Sequence, residues 1–328
     1  MPRYYKENRQ MSEKTKISWC DSTINFWEGC TKVSDGCKNC YAEARDKRFT
    51  GGKLWGKGAS RRKSKSAVRD ALAYNRKPWI SDTTGEAFKN EEDAAHITGT
   101  YHRRRIFSLS LGDWLDDEVP IEWLAEMLDT IRQCDQVTWI LCTKRPENFR
   151  DRLAQVHARQ HRQDSDFSIW ICWWLNGHAP SNIILLTSVE NQKQADKRIP
   201  ELLRIPAACR GLSLEPLLGE VNLREHSPFN VVHGMTIPQN AHKVFGGIDW
   251  LIIGCESGPN RRFQDGYEAA ARSLIKQGLA AGVPVFHKQM PILGKVGHDT
   301  SVWLDDLRAQ NWPKGFYFYN EKNITSRH

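Results

Sequence analysis

The amino-acid sequence predicts an α/β fold, a TIM-like parallel β/α barrel that is full or partial, and three observations carry the prediction. Short apolar runs alternate with helical patterns along the chain; the runs are apolar throughout, not at every second residue; and each run ends in polar residues. Strands that are buried on both faces and separated by helices belong to parallel sheets. The length of 328 residues suits one large α/β domain.

Taken in order, the strand regions are ISWCDSTINFW (17–27), IFSLSL (106–111), VTWILC (137–142), NIILLTSV (182–189), GLSL (211–214), WLIIG (250–254) and VPVFH (283–287). A helix is expected over 118–134, where Ile121, Leu124, Leu128 and Ile131 recur at helical spacing. Another is expected over 266–281, which is rich in Ala and Leu and stops at Gly282. The polar segment 1–11 reads as a disordered extension, 12–320 as a single domain and 321–328 as a tail. Residues 50–105 read as a basic insertion between the cysteine loop and the next strand. No internal repeat is visible.

Composition narrows the class. With 40% apolar residues, no apolar run near the ~18 residues that span a bilayer and no charged-then-apolar leader, the chain reads as soluble, cytoplasmic and free of membrane contact. Six of the nine cysteines (Cys20, Cys134, Cys142, Cys172, Cys209, Cys255) are isolated, several inside strand-like runs, which suits a reducing compartment without disulfides.

The net charge of +8 is uneven: residues 1–105 hold 23 Lys/Arg against 13 Asp/Glu, and residues 106–328 hold 24 against 26. The cations gather in ASRRKSKSAVRD (59–70), NRKPW (75–79) and YHRRR (101–105), among Trp55, Tyr74, Trp79 and Tyr101. Phosphate-pairing cations interleaved with rings suit a nucleic-acid groove, with Arg61, Arg62, Lys63, Lys65, Arg103, Arg104 and Arg105 as its candidates. A solvated insertion is the plainer reading of the same run.

The strand ends point to a site. They read SLGD (110–113), TKRPEN (143–148), SVEN (188–191), LEP (214–216), CESG (255–258) and HKQ (287–289). In a parallel barrel these ends share the C-terminal rim, where active sites assemble. A rim carrying Ser110, Asp113, Lys144, Arg145, Glu190, Asn191, Glu215, Glu256, Ser257 and Lys288 suits a polar, zwitterionic ligand.

GCTKVSDGCKNCYAE (29–43) follows the first strand region and places Cys30, Cys37 and Cys40 within eleven residues. Four readings compete. Cysteines buried as small apolar groups would not be spaced among Lys, Asp, Asn and Gly. A structural zinc site needs a fourth ligand, for which Cys20 is the nearest candidate. A redox pair of Cys37 and Cys40 leaves Cys30 unexplained. An iron–sulfur cluster with three protein thiolates and one open iron uses all three.

Six segments together resemble the phage-associated three-Cys-motif family, which is radical-SAM-like. They are ISWCDSTINFWEGCTKVSDGCKNCYAE (17–43), LCTKRPENF (141–149), TSVENQKQADKRIPELL (187–203), GLSLEPLLG (211–219), GIDWLIIGCESGP (247–259) and GVPVFHKQ (282–289). The resemblance implies a barrel of the radical SAM type, a [4Fe-4S] cluster on Cys30, Cys37 and Cys40, and S-adenosyl-L-methionine (SAM) bound by the rim with Tyr41 beside it. It also implies an external electron donor, a three-Cys-motif partner protein and a phage or mobile-element context. Two departures stand out. The spacing is C-x6-C-x2-C where common radical SAM enzymes have C-x3-C-x2-C, and Gly254-Cys255-Glu256 replaces the family's frequent Gly-Gly-Glu. Cys255 reads as an additional ligand, a substrate-side thiol or a small buried residue. The expected function is a radical SAM-type enzyme generating a 5′-deoxyadenosyl radical that acts on a nucleic acid or nucleotide. The alternative is a zinc-stabilised nucleic-acid-binding module without catalytic activity.

Overall fold

The computed structural model describes residues 15, 17–98, 100–159, 165–223 and 247–313, so the expected extension over 1–11 and the tail over 321–328 lie outside the described residues. The chain enters β1 (Ser22–Ile24) and β2 (Trp27–Glu28), then passes through the cysteine loop into α1 (Tyr41–Thr50). The insertion supplies β3 (Arg62–Lys63), α2 (Ala67–Asn75), β4 (Trp79–Ser81), β5 (Ala87–Phe88), α3 (Glu91–Thr98) and β6 (Tyr101–Arg103). Strands and helices then alternate through β7 (Arg105–Ser108), α4 (Ile121–Gln133), β8 (Thr138–Thr143), α5 (Phe149–Ala158), α6 (Asp166–Leu175), β9 (Ile183–Ser188) and α7 (Gln192–Leu203). They continue through β10 (Cys209–Leu214), β11 (Trp250–Gly254), α8 (Tyr267–Ala280), β12 (Val285–Ile292) and β13 (Lys295–Gly297).

The main sheet has the order β1-β7-β8-β9-β10-β11-β12-β13, parallel throughout except for the β12–β13 hairpin. The order never reverses. Each crossover steps to the next strand in the same direction, and right-handed crossovers repeated this way keep the helices on one side. The sheet curls accordingly into a half-barrel.

Both faces of that sheet are covered, which explains the uninterrupted apolar runs. Trp139, Leu141, Leu185, Leu251 and Ile253 face outward and share a core with Leu124 and Leu128 of α4, Leu153 of α5, Ile199 of α7 and Leu274 of α8. The alternate residues Ile140, Ile184, Leu186, Ile252 and Phe286 face inward and form a second cluster with Trp19 and Cys20. Trp312 closes it, its ring 4.8 Å from that of Phe286. Toward the strand ends the inward positions turn polar: Cys142 then Lys144, Ser188 then Glu190, Ser213 then Glu215, Gly254 then Glu256. Cys255, facing the other way, is buried in the outer core, and burial pushes its thiol up to about 12.

The insertion buries three of the four rings and three of the seven cations expected to face a nucleic acid. Its β5-β4-β6 sheet has a small core of Trp79, Phe88, Ala94 and Tyr101, so its rings are packed inside. Arg103 lies over the Trp79 ring at 5.5 Å, and Arg104 over Tyr74 at 4.4 Å. Arg104 and Arg105 are buried, the first donating to Ser22 Oγ at 2.9 Å and the second paired with Asp21 at 2.9 Å. Arg61 is buried as well, against Asp116 at 2.9 Å. The alternation of cations and rings is internal cation–π and ion pairing. Arg105 also opens β7, so the insertion ends one residue before the expected boundary. Among the described residues no helix is long and apolar enough to cross a membrane.

A buried histidine joins insertion and sheet. His102 Nδ1 lies 2.6 Å from Asp82 and its Nε2 lies 2.9 Å from Asp21, which also holds Arg105. Burial by itself would lower the imidazole pKa, but the two carboxylates outweigh it and hold the group above its ordinary value. A raised folded-state pKa contributes stability that is complete below the unfolded value of about 6.5 and is lost as pH rises through the folded value. Urea unfolding from about pH 6 to 9 should therefore show wild-type stability falling more steeply than that of His102→Gln. Equal slopes would remove His102 from the pH dependence.

Candidate functional site

The loop that carries the three cysteines has little regular structure of its own. One turn of 3-10 helix spans Asp35–Cys37, closed by Cys37 N donating to Ser34 O at 2.9 Å. Gly29 N donates to Leu111 O at 3.0 Å, and Gly56 N to Cys30 O at 3.0 Å. Cys40 is the N-cap of α1. Side chains from the ends of the parallel strands supply the rest of its support.

Three such supports are visible. At the β7 and β8 ends, buried Asp113 accepts from Thr143 Oγ1 at 2.7 Å, Lys144 N at 2.9 Å and Arg145 at 2.9 Å. The Arg145 fork then reaches the loop, donating to Thr31 O at 2.7 Å and toward Cys30 Sγ at 3.7 Å. At the β9 end, fully buried Glu190 pairs with Arg198 at 2.8 Å and accepts from Ser34 Oγ at 3.0 Å. At the β11 end, Glu256 accepts from Asn39 Nδ2 at 3.1 Å and from Arg262, which also donates to Asp35 O at 2.9 Å. Arg61 adds a bond to Thr31 Oγ1 at 2.7 Å. Breaking a buried pair such as Glu190–Arg198 costs on the order of 3–5 kcal/mol, so these contacts hold the loop firmly.

Beneath the loop, a cavity of about 370 Å³ has Cys30, Cys37 and Cys40 in its wall. Lys144, Ser110, Asp113, Glu215, Glu256, Ser257 and Lys288 line it too, together with Tyr41. Lys288 forms an ion pair with Glu215, and Lys144 Nζ donates to Ser188 Oγ at 2.9 Å while facing Glu190 at 3.7 Å. Tyr41 donates to Ser110 O at 2.6 Å. Trp19, Phe107 and Leu109 give part of its wall an apolar surface. The register of β11 on β12 slips between Ile253 and Gly254, so that Lys288 and Gln289 both reach the cavity.

Three of the expected rim residues do other work. Arg145 and Glu190 lie outside the cavity wall, under the loop, because their charges are spent on Asp113 and Arg198. Asn191 caps α7, its side chain accepting from Gln194 N at 3.1 Å. Of the seven basic candidates, Arg62, Lys63 and Lys65 are exposed, and Arg62 and Lys63 face Glu28 and Glu126.

Burial pushes the Cys30 thiol up to about 12, with Asp113 adding to the rise and Arg145 opposing it; burial raises Cys40 too. Burial would also raise Glu256, but hydrogen bonds from Arg262 and Asn39 outweigh it and hold the carboxyl below its usual range. Lys144 is desolvated, yet Glu190, Cys37 and Cys142 keep its ammonium form favoured. Among the described residues no three His, Cys, Asp or Glu side chains are already gathered as a metal-holding group. Cys30 Sγ instead turns to Thr31 O at 3.5 Å, and Cys37 Sγ to Ser34 Oγ at 3.8 Å.

Residues 14–312 match a family described as "Protein of unknown function (DUF5131)". The chain belongs to that family. Comparison with curated proteins and with solved structures finds no match. The site of this DUF5131 chain therefore has to be read from its own residues.

Several of those residues were not anticipated. Cys142, Ser188 and Ser213 line the cavity two positions before Lys144, Glu190 and Glu215, so strict alternation along each strand was the signal that could have found them. Arg198 and Arg262 carry no such signal, because only folding brings them to their carboxylates. Gly36 is a third case: a Cβ there would overlap the Glu190 side chain. Gly36→Ala should consequently lower stability by roughly 1–3 kcal/mol in urea unfolding, the usual cost of overpacking. A wild-type midpoint would show that the loop does not rest on Glu190.

Proposed function

We propose that this chain is a radical SAM-type enzyme of the partial-barrel kind, in which Cys30, Cys37 and Cys40 hold a [4Fe-4S] cluster and SAM binds beside it. One observation carries the reading: the three thiols and the inward polar ends of the parallel strands line a single cavity, at the end where such sheets do their chemistry. The donor set suits the group in number and kind. Three sulfurs come from one loop, and Arg145 and Lys144 bring compensating positive charge. A cluster bound there would supply the electron, received from an external donor, that breaks the sulfonium C–S bond of SAM to give the 5′-deoxyadenosyl radical.

The chain's own groups have definable parts. Arg145 donates toward Cys30 and favours its thiolate. Glu215 offers a carboxylate to ribose hydroxyls or an ammonium, and Lys288 offers a cation to a carboxylate. Trp19, Phe107 and Leu109 offer apolar surface to the uncharged parts of a ligand. The nucleic-acid or nucleotide substrate rests, within the insertion, on Arg62, Lys63 and Lys65. A three-Cys-motif partner protein and a phage or mobile-element setting remain part of the proposal through the resemblance alone.

A second reading has one observation in its favour. Cys142 also lines the cavity, so a zinc site would find its fourth thiol there, not at Cys20, whose sulfur is turned to Ile17 O. In that reading the protein is a zinc-stabilised nucleic-acid-binding module.

Anaerobic reconstitution with iron and sulfide separates the two. The first reading expects brown protein, loss of iron in Cys37→Ala, retention in Cys134→Ala, Cys142→Ala and Cys209→Ala, and 5′-deoxyadenosine after reduction with SAM. Colourless protein whose zinc is lost in Cys142→Ala supports the second reading. Within the first, Glu215→Gln should keep its iron and weaken SAM binding by roughly 1.5–3 kcal/mol, measured by equilibrium dialysis.

A further inference from the structure

The whole formal charge excess of this protein lies on the segment that carries the cysteines. Residues 30–65 hold 11 Lys/Arg against 3 Asp/Glu, net +8, and the rest of the chain holds 36 against 36, net zero. The three acids of the segment do little to offset this at the surface. Asp46 is buried and accepts from Leu54 N at 3.0 Å. Glu43, 12% exposed, sits between Lys32 at 2.7 Å and Lys47 at 3.1 Å. Asp35 alone is exposed.

The cations also form one face. Glu28, partly buried on β2, lies between Arg45 of α1 and Arg62 of β3, as Glu43 lies between the loop and α1. Two carboxylates therefore join the cysteine loop, α1 and the β2–β3 ribbon into a continuous basic surface whose α1 end, at Tyr41, opens on the cavity. Phe49 stands on this surface 65% exposed, with the Arg45 and Arg48 guanidinium groups 5.5 and 5.2 Å from its ring.

We infer that this face binds single-stranded nucleic acid and leads it to the cavity mouth. Protein interfaces are depleted in Lys, whereas surfaces that track a phosphate backbone are rich in Lys and Arg and carry exposed rings for bases. A ring and guanidinium planes in solvent suit unpaired bases; a duplex offers only its backbone. The inference deepens the nucleic-acid part of the proposed function, extending it from Arg62, Lys63 and Lys65 to α1 and the cysteine loop. It does not depend on the cluster.

The test is fluorescence anisotropy of full-length protein with a labelled oligothymidylate of about 12 nucleotides, from about 50 to 200 mM salt. Combined Arg45→Glu, Lys47→Glu and Arg48→Glu should weaken binding at least ~30-fold and lower the log–log salt slope by about 2, at about 0.7 per phosphate on single strands. Phe49→Ala should weaken it about 10-fold with the slope unchanged. Lys276→Glu, an exposed change on α8, should bind as wild type does. Wild-type protein that ignores the oligonucleotide at the lowest salt, or that binds only an acidic protein, overturns the inference. So does a triple variant that binds normally, or a Phe49→Ala variant that is unaffected while duplex binds equally well. Iron content measured on the same preparations keeps the two proposals apart. Wild-type protein that takes up iron but ignores the oligonucleotide counts against this inference alone, and wild-type protein that binds it but never takes up iron counts against the cluster alone.

Discussion

Glu190 has no contact with solvent, and the arrangement of the site depends on what it touches. It ends the central strand β9, takes a charge-assisted bond from Arg198 behind it, and meets Ser34 and Gly36 of the cysteine loop in front. A loop with one 3-10 turn cannot hold three thiols in place through its own backbone bonds. The sheet does that for it, through Glu190 near the middle, Arg145 at Cys30 and Glu256 near Cys40. A buried carboxylate is tolerated only when paired, so the contact is directional as well as strong.

This division of labour changes the meaning of a charged strand end. Of the carboxylates at the rim, Glu190 is buried under the loop, Glu256 is shared between loop and cavity, and Glu215 faces the cavity with Lys288. They share one sequence pattern, a carboxylate two positions beyond an inward Ser or Gly at the end of a strand. What separates them is the partner each finds. Arg198 and Arg262 neutralise the two that grip the loop, so the Glu215–Lys288 pair faces the cavity together with Lys144 and Asp113.

The charges of the insertion were redistributed in the same way. Arg61, Arg104 and Arg105 were drawn inward because Asp116, Ser22 and Asp21 offered partners there, and Tyr74 offered a ring to Arg104. α1 met only Glu28 and Glu43 at the surface, so Arg45 and Lys47 pair there while staying exposed. A barrel body of zero net charge bearing one cationic face has a strongly directional field, which steers polyanions toward that face.

The sequence by itself determined the layered plan: the runs over 137–142, 182–189, 211–214 and 250–254 became parallel strands within a residue or two, the helices over 121–133 and 267–280 fell where their periodicity put them, and the polar ends gathered at one rim. The cysteine triplet was equally legible, since its spacing in a polar loop is local information. Only the tertiary structure decided which rim residues support the loop and which face the cavity, that Cys142 is a fourth thiol in its wall, and which of the many cations remain outside. The reason is physical. Strand and helix formation depend on patterns within a few residues, whereas the fate of a charge depends on the nearest opposite charge or water after folding, and Arg262 on Asp35 or Arg145 on Cys30 are meetings across 227 and 115 residues of chain.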